Sequence, residues 1–314
     1  MIKNKFGSGK FDNRETTQNG SRRAYIYFKG LKTLWFNTGT LCNISCQNCY
    51  IKSSPLNDSL IYLKQKDVNK FLREMKNERY DTKEIGFTGG EPFMNPELIP
   101  MTRTCLQEGY QVLILTNAMR PMMRPYVQQG LFDLNNSFGD NLKLRISLDH
   151  WSSIVHDKER GKGSYAQTLK GIGWLSKNGF NITIGGRALT AEKEEDVRKE
   201  YAKVFAKQRF KIDAFNKSET LIFPEMDENL DVPEITTECW HILDKTPDKM
   251  MCSSSRMIIK RKGDTKPKVI ACTLLPYQQE FELGETLRNA SQKVFLNHPH
   301  CAQFCVLGGA SCSD

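Results

Sequence analysis

Short apolar runs alternate with longer amphipathic stretches along most of this chain, and this alternation limits the possible folds. Residues typical of strands predominate in TLWFN (33–37), EIGFT (84–88), QVLILT (111–116), LKLRIS (142–147), NITIGG (181–186) and either KIDAF (211–215) or TLIF (220–223). Helical spacing is found at 66–77, 97–107, 164–179 and 192–207, with Ser164 as a cap, and a further helix is expected to be interrupted at Pro125. Strands that alternate with helices form a parallel sheet. The sequence predicts an α/β fold, a partial (β/α)6 TIM-like barrel over residues 33–226.

The pattern changes from about residue 227, where helix signals weaken and cysteines appear. Two apolar strands, RMIIKRKG and PKVIACTL, are joined by a basic turn at 260–268, which predicts a β-hairpin. We expect a small cysteine-rich domain at 227–314. The polar, Gly-rich residues 1–32 are expected to form an N-terminal extension or a flexible cover.

The formal net charge of +9 is consistent with an acidic substrate, a nucleic acid or solubility alone. The basic turn is interrupted by Gly263 and Pro267, so we interpret it as a solvated turn and not as a nucleic-acid patch. No run approaches the roughly 18 apolar residues of a membrane span. Residues 1–23 carry basic side chains but no apolar run, so we expect no secretory signal and a cytoplasmic location without membrane contact.

Polar motifs follow five of the predicted strands at the point where each strand ends. They are CNISCQNCY, TGGEP, TNA, SLDH and GGR. The carboxyl ends of barrel strands share one face, where substrates and cofactors bind. The repeated coincidence predicts a functional site there, although each motif alone is also compatible with turn chemistry.

Ten cysteines in a reducing compartment indicate metal ligands or catalytic groups rather than disulfides. Cys42, Cys46 and Cys49 lie in one loop, where three thiolates would leave one iron of a cubane cluster open. A zinc site with three cysteines and one histidine is the structural alternative. The nearest histidine in sequence is His150, which favours the iron–sulfur interpretation.

The C-x3-C-x2-C loop followed by GGEP resembles the radical S-adenosylmethionine superfamily. The stretch SLDHWSSIVHDKERGKGSYAQTLKGIGWL is similar to members with a SPASM or twitch domain. The similarity covers most of residues 33–190. In the family, an aromatic residue often precedes the third cysteine, near the adenine; here that position is Asn48 and the aromatic Tyr50 follows. Tyr50 either packs on the adenine or fills the core.

The resemblance implies that Cys42, Cys46 and Cys49 ligate a [4Fe–4S] cluster whose open iron is chelated by S-adenosylmethionine. Glycine lacks a Cβ and lets backbone carbonyls approach closely. The resemblance implies that Gly89, Gly90 and Glu91 contact the methionine amino group of S-adenosylmethionine. It also implies that Asn117 and Ser147 hydrogen-bond its ribose or carboxylate. Arg187 would pair with the carboxylate.

A second cysteine group flanks and follows the predicted hairpin. The resemblance implies one fully ligated auxiliary [4Fe–4S] cluster in a twitch-like domain, held by Cys252, Cys272, Cys301 and Cys305. Cys312 is a substitute ligand or a spare thiol. His298 and His300 leave a zinc site as an alternative. Cys105 and Cys239 stand alone and are interpreted as small buried hydrophobic residues.

These residues predict a radical S-adenosylmethionine enzyme, with chemistry similar to that of an oxidoreductase. The resemblance implies reductive cleavage of the cofactor to a 5′-deoxyadenosyl radical, which abstracts hydrogen from a peptide or small metabolite. Oxidation, crosslinking or epimerisation would follow, with the auxiliary cluster as electron relay and a reducing partner such as flavodoxin or ferredoxin. The alternative is a non-catalytic iron–sulfur or zinc protein that binds nucleic acid. This alternative leaves GGEP and the strand-end motifs unexplained.

Three carboxylates near predicted strand ends could act as a general base or be solvated: Asp149, Glu225 and Asp227. His156 and Asp157 are expected to order the loop in which they lie.

Overall fold

The computed structural model of the protein describes residues 9–189, 191–226 and 230–311. Strands occur throughout this part of the chain. In chain order they are β1 (Tyr25–Ile26), β2 (Thr33–Asn37), β3 (Glu84–Thr88), β4 (Gln111–Thr116), β5 (Leu142–Ser147), β6 (Asn181–Ala188), β7 (Thr220–Pro224), β8 (Ser255–Ile259), β9 (Lys268–Ile270), β10 (Glu282–Gly284) and β11 (Val294–Phe295). One sheet contains nine of them in the spatial order β10-β9-β8-β2-β3-β4-β5-β6-β7.

Strands β2 to β7 are parallel neighbours and follow one another in chain order. All five residues of β2 are buried, as expected for a parallel strand covered on both faces. Between consecutive strands the chain returns through helices. This arrangement confirms the predicted (β/α)6 partial barrel, and TLIF, not KIDAF, lies in its sixth strand.

The helices cover the outside of the sheet. They are α1 (Gln65–Asn77), α2 (Leu98–Gln107), α3 (Pro125–Phe138), α4 (Ser153–Arg160), α5 (Ser164–Lys177), α6 (Glu194–Gln208) and the short α7 (Cys239–Ile242). Phe36 of β2 packs against Phe71 of α1, with ring centroids 6.4 Å apart. The barrel core therefore lies between the sheet and these helices.

Two predictions about helix ends are wrong. Pro125 does not interrupt α3 but occupies its first turn, where the missing N–H removes no hydrogen bond. Ser164 is the first residue of α5, and Gly163, with a φ of +79°, takes the cap position. A left-handed backbone there favours glycine over serine.

The predicted hairpin is present. β8 pairs antiparallel with β9, and it also pairs in parallel with β2. The hairpin therefore extends the barrel sheet. The predicted domain boundary at 226/227 falls on residues 227–229, outside the described residues, and remains a prediction.

The described part of the N-terminal extension packs on the C-terminal region. β1 pairs antiparallel with β11. Arg23 is fully buried and forms an ion pair with Glu234, with 2.5 Å between the two side chains. Within the described ranges, no helix is both long and apolar enough to cross a bilayer.

Candidate functional site

A cavity of about 200 Å³ lies at the carboxyl ends of the barrel strands and is called the first cavity below. The thiols of Cys42, Cys46 and Cys49 line it. Burial and the nearby Glu91 carboxylate raise the pKa of Cys42 to about 12. Burial raises that of Cys46 to about 11. The Cys49 thiolate also raises the pKa of both, and that of Cys46 raises the pKa of Cys42, so a shared cationic group such as an iron–sulfide core would stabilise these thiolates.

The C-terminus of α4 fixes the loop that carries these thiols. The carboxylate of Glu159 accepts hydrogen bonds from the backbone N–H of Asn48 at 2.8 Å and from its side-chain amide at 3.0 Å. The backbone carbonyl of Glu159 accepts a third from the N–H of Gln47 at 2.9 Å. The three bonds hold the segment between the second and third cysteines.

The two glycines after β3 form a close-packed wall of the first cavity. The N–H of Gly90 donates to the carbonyl of Gly39 at 2.8 Å. A Cβ at Gly90 would overlap the carbonyl oxygen of Leu41, and Gly89 has a φ of +146° that other residues rarely adopt. Both glycines are therefore required for the packing of this turn on residues 38–41, and the contact with an amino group stays a prediction.

Glu91, the third residue of this motif, points its carboxylate at the end of β4. The carboxylate is 1% exposed and accepts from the hydroxyl of Thr116 at 2.8 Å and from the N–H of Asn117 at 2.9 Å. Burial raises the pKa of Glu91 to about 6. The structure thus assigns the Glu91 side chain to the support of Asn117, while the contact predicted with the cofactor stays a prediction.

Asn117 and Ser147 both line the first cavity, and their contacts with the cofactor stay predictions. The side-chain N–H of Asn117 donates to the side-chain oxygen of Asn43 in the cysteine loop at 3.0 Å. The side-chain oxygen of Asn117 accepts from the backbone N–H of Met119 at 3.0 Å. Helix α5 lies directly against this turn, because a Cβ at Gly171 would overlap the carbonyl oxygen of Ala118. The position of Asn117 is therefore fixed from several sides.

A buried group of charges lines another wall. The guanidinium of Arg160 holds Asp149 with two hydrogen bonds of 2.6 and 2.9 Å. The Nε of Arg187 lies 3.7 Å from the same carboxylate. Burial alone would raise the pKa of Asp149, but the two cations lower it to about 2. Asp149 is therefore an ionised anchor for both arginines and a poor candidate for a general base.

Arg160 and Glu159 were not predicted as site residues. Arg160 lines the first cavity. Burial lowers the pKa of its guanidinium, but Asp149 and the thiolates of Cys46 and Cys42 raise that pKa by more. Both residues lie within the stretch that resembles the SPASM/twitch subgroup, in KERG. That stretch was the available signal.

The remaining candidates do not line the first cavity or lie outside the described residues. Asp157 orders its loop as predicted, since its carboxylate accepts from the N–H groups of Gly163 at 2.7 Å and Tyr165 at 2.8 Å. His156 is fully buried. Glu225 is exposed. Asp227 lies among the residues that the structure does not describe.

A second cavity brings together all four cysteines predicted for the auxiliary cluster. This second cavity has a volume of about 20 Å³. It is lined by Cys252, Cys272, Cys301 and Cys305, by His300 and by mainly apolar side chains. Burial and the thiolates of Cys272 and Cys252 raise the pKa of Cys301. The residue Cys312 lies outside the described part of the chain.

The chain brings two of these thiols together within one helix. Cys301 and Cys305 lie in a π-helix, Cys301–Leu307, whose wider turn places residues four apart on nearly the same face. The nine cysteines in the described ranges are free thiols. Within those ranges, no three metal-binding side chains surround a point where a single ion would bind. What the structure shows is the convergence of four thiols on one cavity.

The two cavities share a wall made of Thr273, Leu274 and Phe304. Tyr50 lies at this junction, with the guanidinium of Arg187 5.0 Å above its ring and the ring of Phe304 6.4 Å away. The predicted alternatives for Tyr50, contact with the adenine or core packing, both remain open because its ring lines the first cavity and packs on the C-terminal region.

Comparison with known proteins agrees with this geometry. The sequence profile of the radical SAM superfamily matches residues 36–203, more than half of the 314 residues. The chain belongs to the radical SAM superfamily. The match covers the cysteine loop, the glycine wall and the charged group, so the predicted superfamily is confirmed.

Curated relatives are associated with peptide biosynthesis. The subtilosin biosynthesis protein AlbA of Bacillus subtilis is 26% identical over 274 residues, which are 81% of this chain and 57% of AlbA. The mycofactocin maturase MftC of Mycobacterium ulcerans is 26% identical over 139 residues, 44% of this chain and 35% of MftC. This chain spans less than two thirds of either relative. Relatives of this kind agree with the predicted SPASM/twitch subgroup.

Solved structures share the fold. SuiB of Streptococcus suis bound to S-adenosylmethionine has a TM-score of 0.57 and 12% identity, over 81% of this chain and 63% of SuiB. The enzyme anSMEcpe with bound S-adenosylmethionine has a TM-score of 0.57 and 14% identity, over 82% of this chain and 79% of that chain.

Proposed function

We propose that this protein cleaves S-adenosylmethionine reductively and uses the resulting radical to modify a peptide. The observation that carries the proposal is the convergence of three loop thiols, a Cβ-free backbone wall, Asn117, Ser147 and two arginines on one cavity. When bound, the [4Fe–4S] cluster and S-adenosylmethionine supply a 5′-deoxyadenosyl radical that abstracts hydrogen from the substrate.

In this proposal the residues of the first cavity bind and orient the cofactors. Cys42, Cys46 and Cys49 hold the cluster and leave one iron without a protein ligand. The backbone at Gly89 and Gly90 accepts the methionine amino group, while Asn117 and Ser147 hydrogen-bond the ribose or carboxylate. Arg187 supplies positive charge for the carboxylate, in competition with Asp149 and Glu159, each of which has an oxygen 3.7 Å from its guanidinium.

The second cavity is proposed to hold an auxiliary [4Fe–4S] cluster with Cys252, Cys272, Cys301 and Cys305 as ligands. Full ligation by protein favours electron transfer over substrate binding, and the small cavity agrees with this role. The wall shared with the first cavity places the two sites next to each other. We propose that this cluster accepts the electron that an oxidised substrate radical releases.

A peptide is the proposed substrate because several similar proteins act in peptide biosynthesis. AlbA is named for the biosynthesis of a bacteriocin, and SuiB has been solved with its precursor peptide SuiA, at a TM-score of 0.54 to this chain. A small flavodoxin- or ferredoxin-type protein is the proposed electron donor.

The proposal is tested by anaerobic reconstitution with iron and sulfide, reduction, and quantification of 5′-deoxyadenosine after addition of S-adenosylmethionine. We expect about eight irons per chain, because each of two clusters holds four. A protein that binds zinc and leaves the cofactor intact would contradict the proposal. Incubation with candidate precursor peptides, followed by mass spectrometry, then tests the substrate class.

A further inference from the structure

A fully buried arginine lies beside the second cavity, at the base of the hairpin. Arg256, on β8, is 1% exposed. Its guanidinium donates hydrogen bonds to four backbone carbonyls, those of Ala290 at 2.8 Å, Cys252 at 2.7 Å, Ser255 at 2.7 Å and Gln292 at 3.4 Å. These four acceptors fix the guanidinium against the first cysteine of the site.

Within the described residues no carboxylate pairs with Arg256, and its guanidinium lies 4.2 Å from the centroid of the Phe28 ring. Arg23 pairs with Glu234, Arg160 with Asp149 and Arg198 with Glu194. The acidic groups near Arg256 are the thiol of Cys252 and the phenol of Tyr80. The guanidinium of Arg256 is charged at neutral pH, as arginine side chains are in proteins.

A buried cation without a counter-ion is costly, and buried charges are normally paired. Cys252 is the ionisable ligand nearest to this guanidinium along the chain, and its carbonyl accepts a hydrogen bond from it. Four thiolates carry more negative charge than the iron–sulfide core neutralises, so a filled site is an anion. The auxiliary cluster would bring a negative charge close to the positive charge of Arg256.

We propose that Arg256 is the counter-charge of the auxiliary site and raises the reduction potential of the cluster held there. The inference rests on the proposed auxiliary cluster and adds a residue that positions and tunes it. The cluster gains one electron and no proton when it is reduced, which adds one negative charge. A fixed cation beside Cys252 stabilises this more negative state and so favours electron acceptance from the substrate side.

The test is a redox titration of the reconstituted protein, with the auxiliary cluster followed by electron paramagnetic resonance. Arg256→Met removes the charge and keeps much of the volume, and Arg256→Lys keeps the charge. We expect at least a tenfold loss in the equilibrium constant for one-electron reduction in Arg256→Met, a fall of about 59 mV. Arg256→Lys is expected to recover more than half of this shift. An unchanged potential in Arg256→Met would overturn the inference.

Arg198→Met is the matched control. Arg198 is also buried and donates to the carbonyls of Ala214 and Thr220, but it lies on α6 and does not line the second cavity. We expect it to lose stability without a change in the auxiliary potential. An equal fall of the potential in this control would show a general effect of lost packing and would also overturn the inference.

A second measurement separates tuning from folding. Thermal unfolding of Arg256→Met is compared with the wild type in the iron-free and the reconstituted states. The inference predicts a larger loss in the reconstituted state, because the pair of charges exists only there. Equal losses would identify Arg256 as a structural residue alone. A wild-type protein with only about four irons would instead remove the auxiliary cluster itself, which is a failure of the proposed function.

Discussion

In the first site all three thiols come from residues 42–49, whereas the second site collects four thiols from three separate segments. The first cavity offers about 200 Å³ and contains Asp149, Arg160 and Arg187 in its wall. The second offers about 20 Å³ and is lined mainly by apolar side chains. A single loop can leave one side of a cluster free, while ligands from several segments enclose it.

The difference separates two tasks of iron–sulfur chemistry. Room and charge beside three thiols suit the binding of a small polar molecule at an open iron. Four thiols in a tight apolar cavity suit a cluster that exchanges electrons and binds nothing else. Each prediction below removes one feature of one site and measures whether the other site keeps its properties.

Cys46→Ala is expected to have the largest effect. The loss of one of three loop ligands should abolish formation of 5′-deoxyadenosine and reduce the iron content from about eight to about four per chain. Cys105→Ala is the control, because this buried thiol lies in α2 and belongs to neither cavity. Continued cleavage by Cys46→Ala would contradict the assignment of the first site.

Cys272→Ala should divide the two functions. We expect about four irons per chain, S-adenosylmethionine cleavage retained when reductant is in excess, and loss of the modified peptide. Iron analysis, 5′-deoxyadenosine and product are measured on the same preparation, with Cys239→Ala as control. If the peptide is modified at the wild-type rate, the second site is not an electron relay.

Asp149→Asn tests the charged wall that distinguishes the first site. It removes the carboxylate that holds Arg160 and faces Arg187, and loss of one partner of a buried pair costs about 3–5 kcal/mol. The wild type should also lose about 2 kcal/mol of stability as the pH falls from about 4 through about 2, because the pKa of Asp149 is lowered by the arginines. Urea unfolding across this pH range should show the loss in the wild type and not in the variant.

Gly171→Ala tests the contact that fixes Asn117, and Gly173→Ala is its matched control in the same helix. The new methyl group at Gly171 would overlap the carbonyl of Ala118, whereas at Gly173 the nearest atom, in Phe210, is 3.7 Å away. We expect weaker S-adenosylmethionine binding only in Gly171→Ala. Gly173→Ala should be neutral or stabilise the helix by about 0.5–1 kcal/mol. Equal affinities in a calorimetric titration would show that the turn does not depend on this contact.

The central strands could be predicted from the sequence because local patterns define them. β2, β3, β4 and β5 have the predicted bounds, since each is an apolar run that ends in a polar motif. Helix α4 was not predicted. Its sequence, SIVHDKER, buries only His156, so apolar spacing gives little signal for it.

The three cysteines of the first site could be predicted from their spacing, which is a local property. The four of the second site lie in three segments and were predicted from the family resemblance. The roles of Glu159 and Arg256 could not be predicted from the sequence. Glu159 contacts Asn48 from 111 residues away. The alternation of apolar and polar residues in β8 would allow the side chain of Arg256 to face solvent. It is buried because β8 pairs with β2. Contacts between distant segments, and not periodicity, determine both.

The most direct test of the account is the electron paramagnetic resonance spectrum of the reduced, reconstituted protein before and after addition of S-adenosylmethionine. We predict that part of the signal changes on addition, and that this part is kept in Cys272→Ala and absent in Cys46→Ala. Formation of 5′-deoxyadenosine should follow the same pattern. A fully loaded protein whose spectrum does not respond to S-adenosylmethionine, and which forms no 5′-deoxyadenosine, would contradict the claim that three thiols leave one iron open.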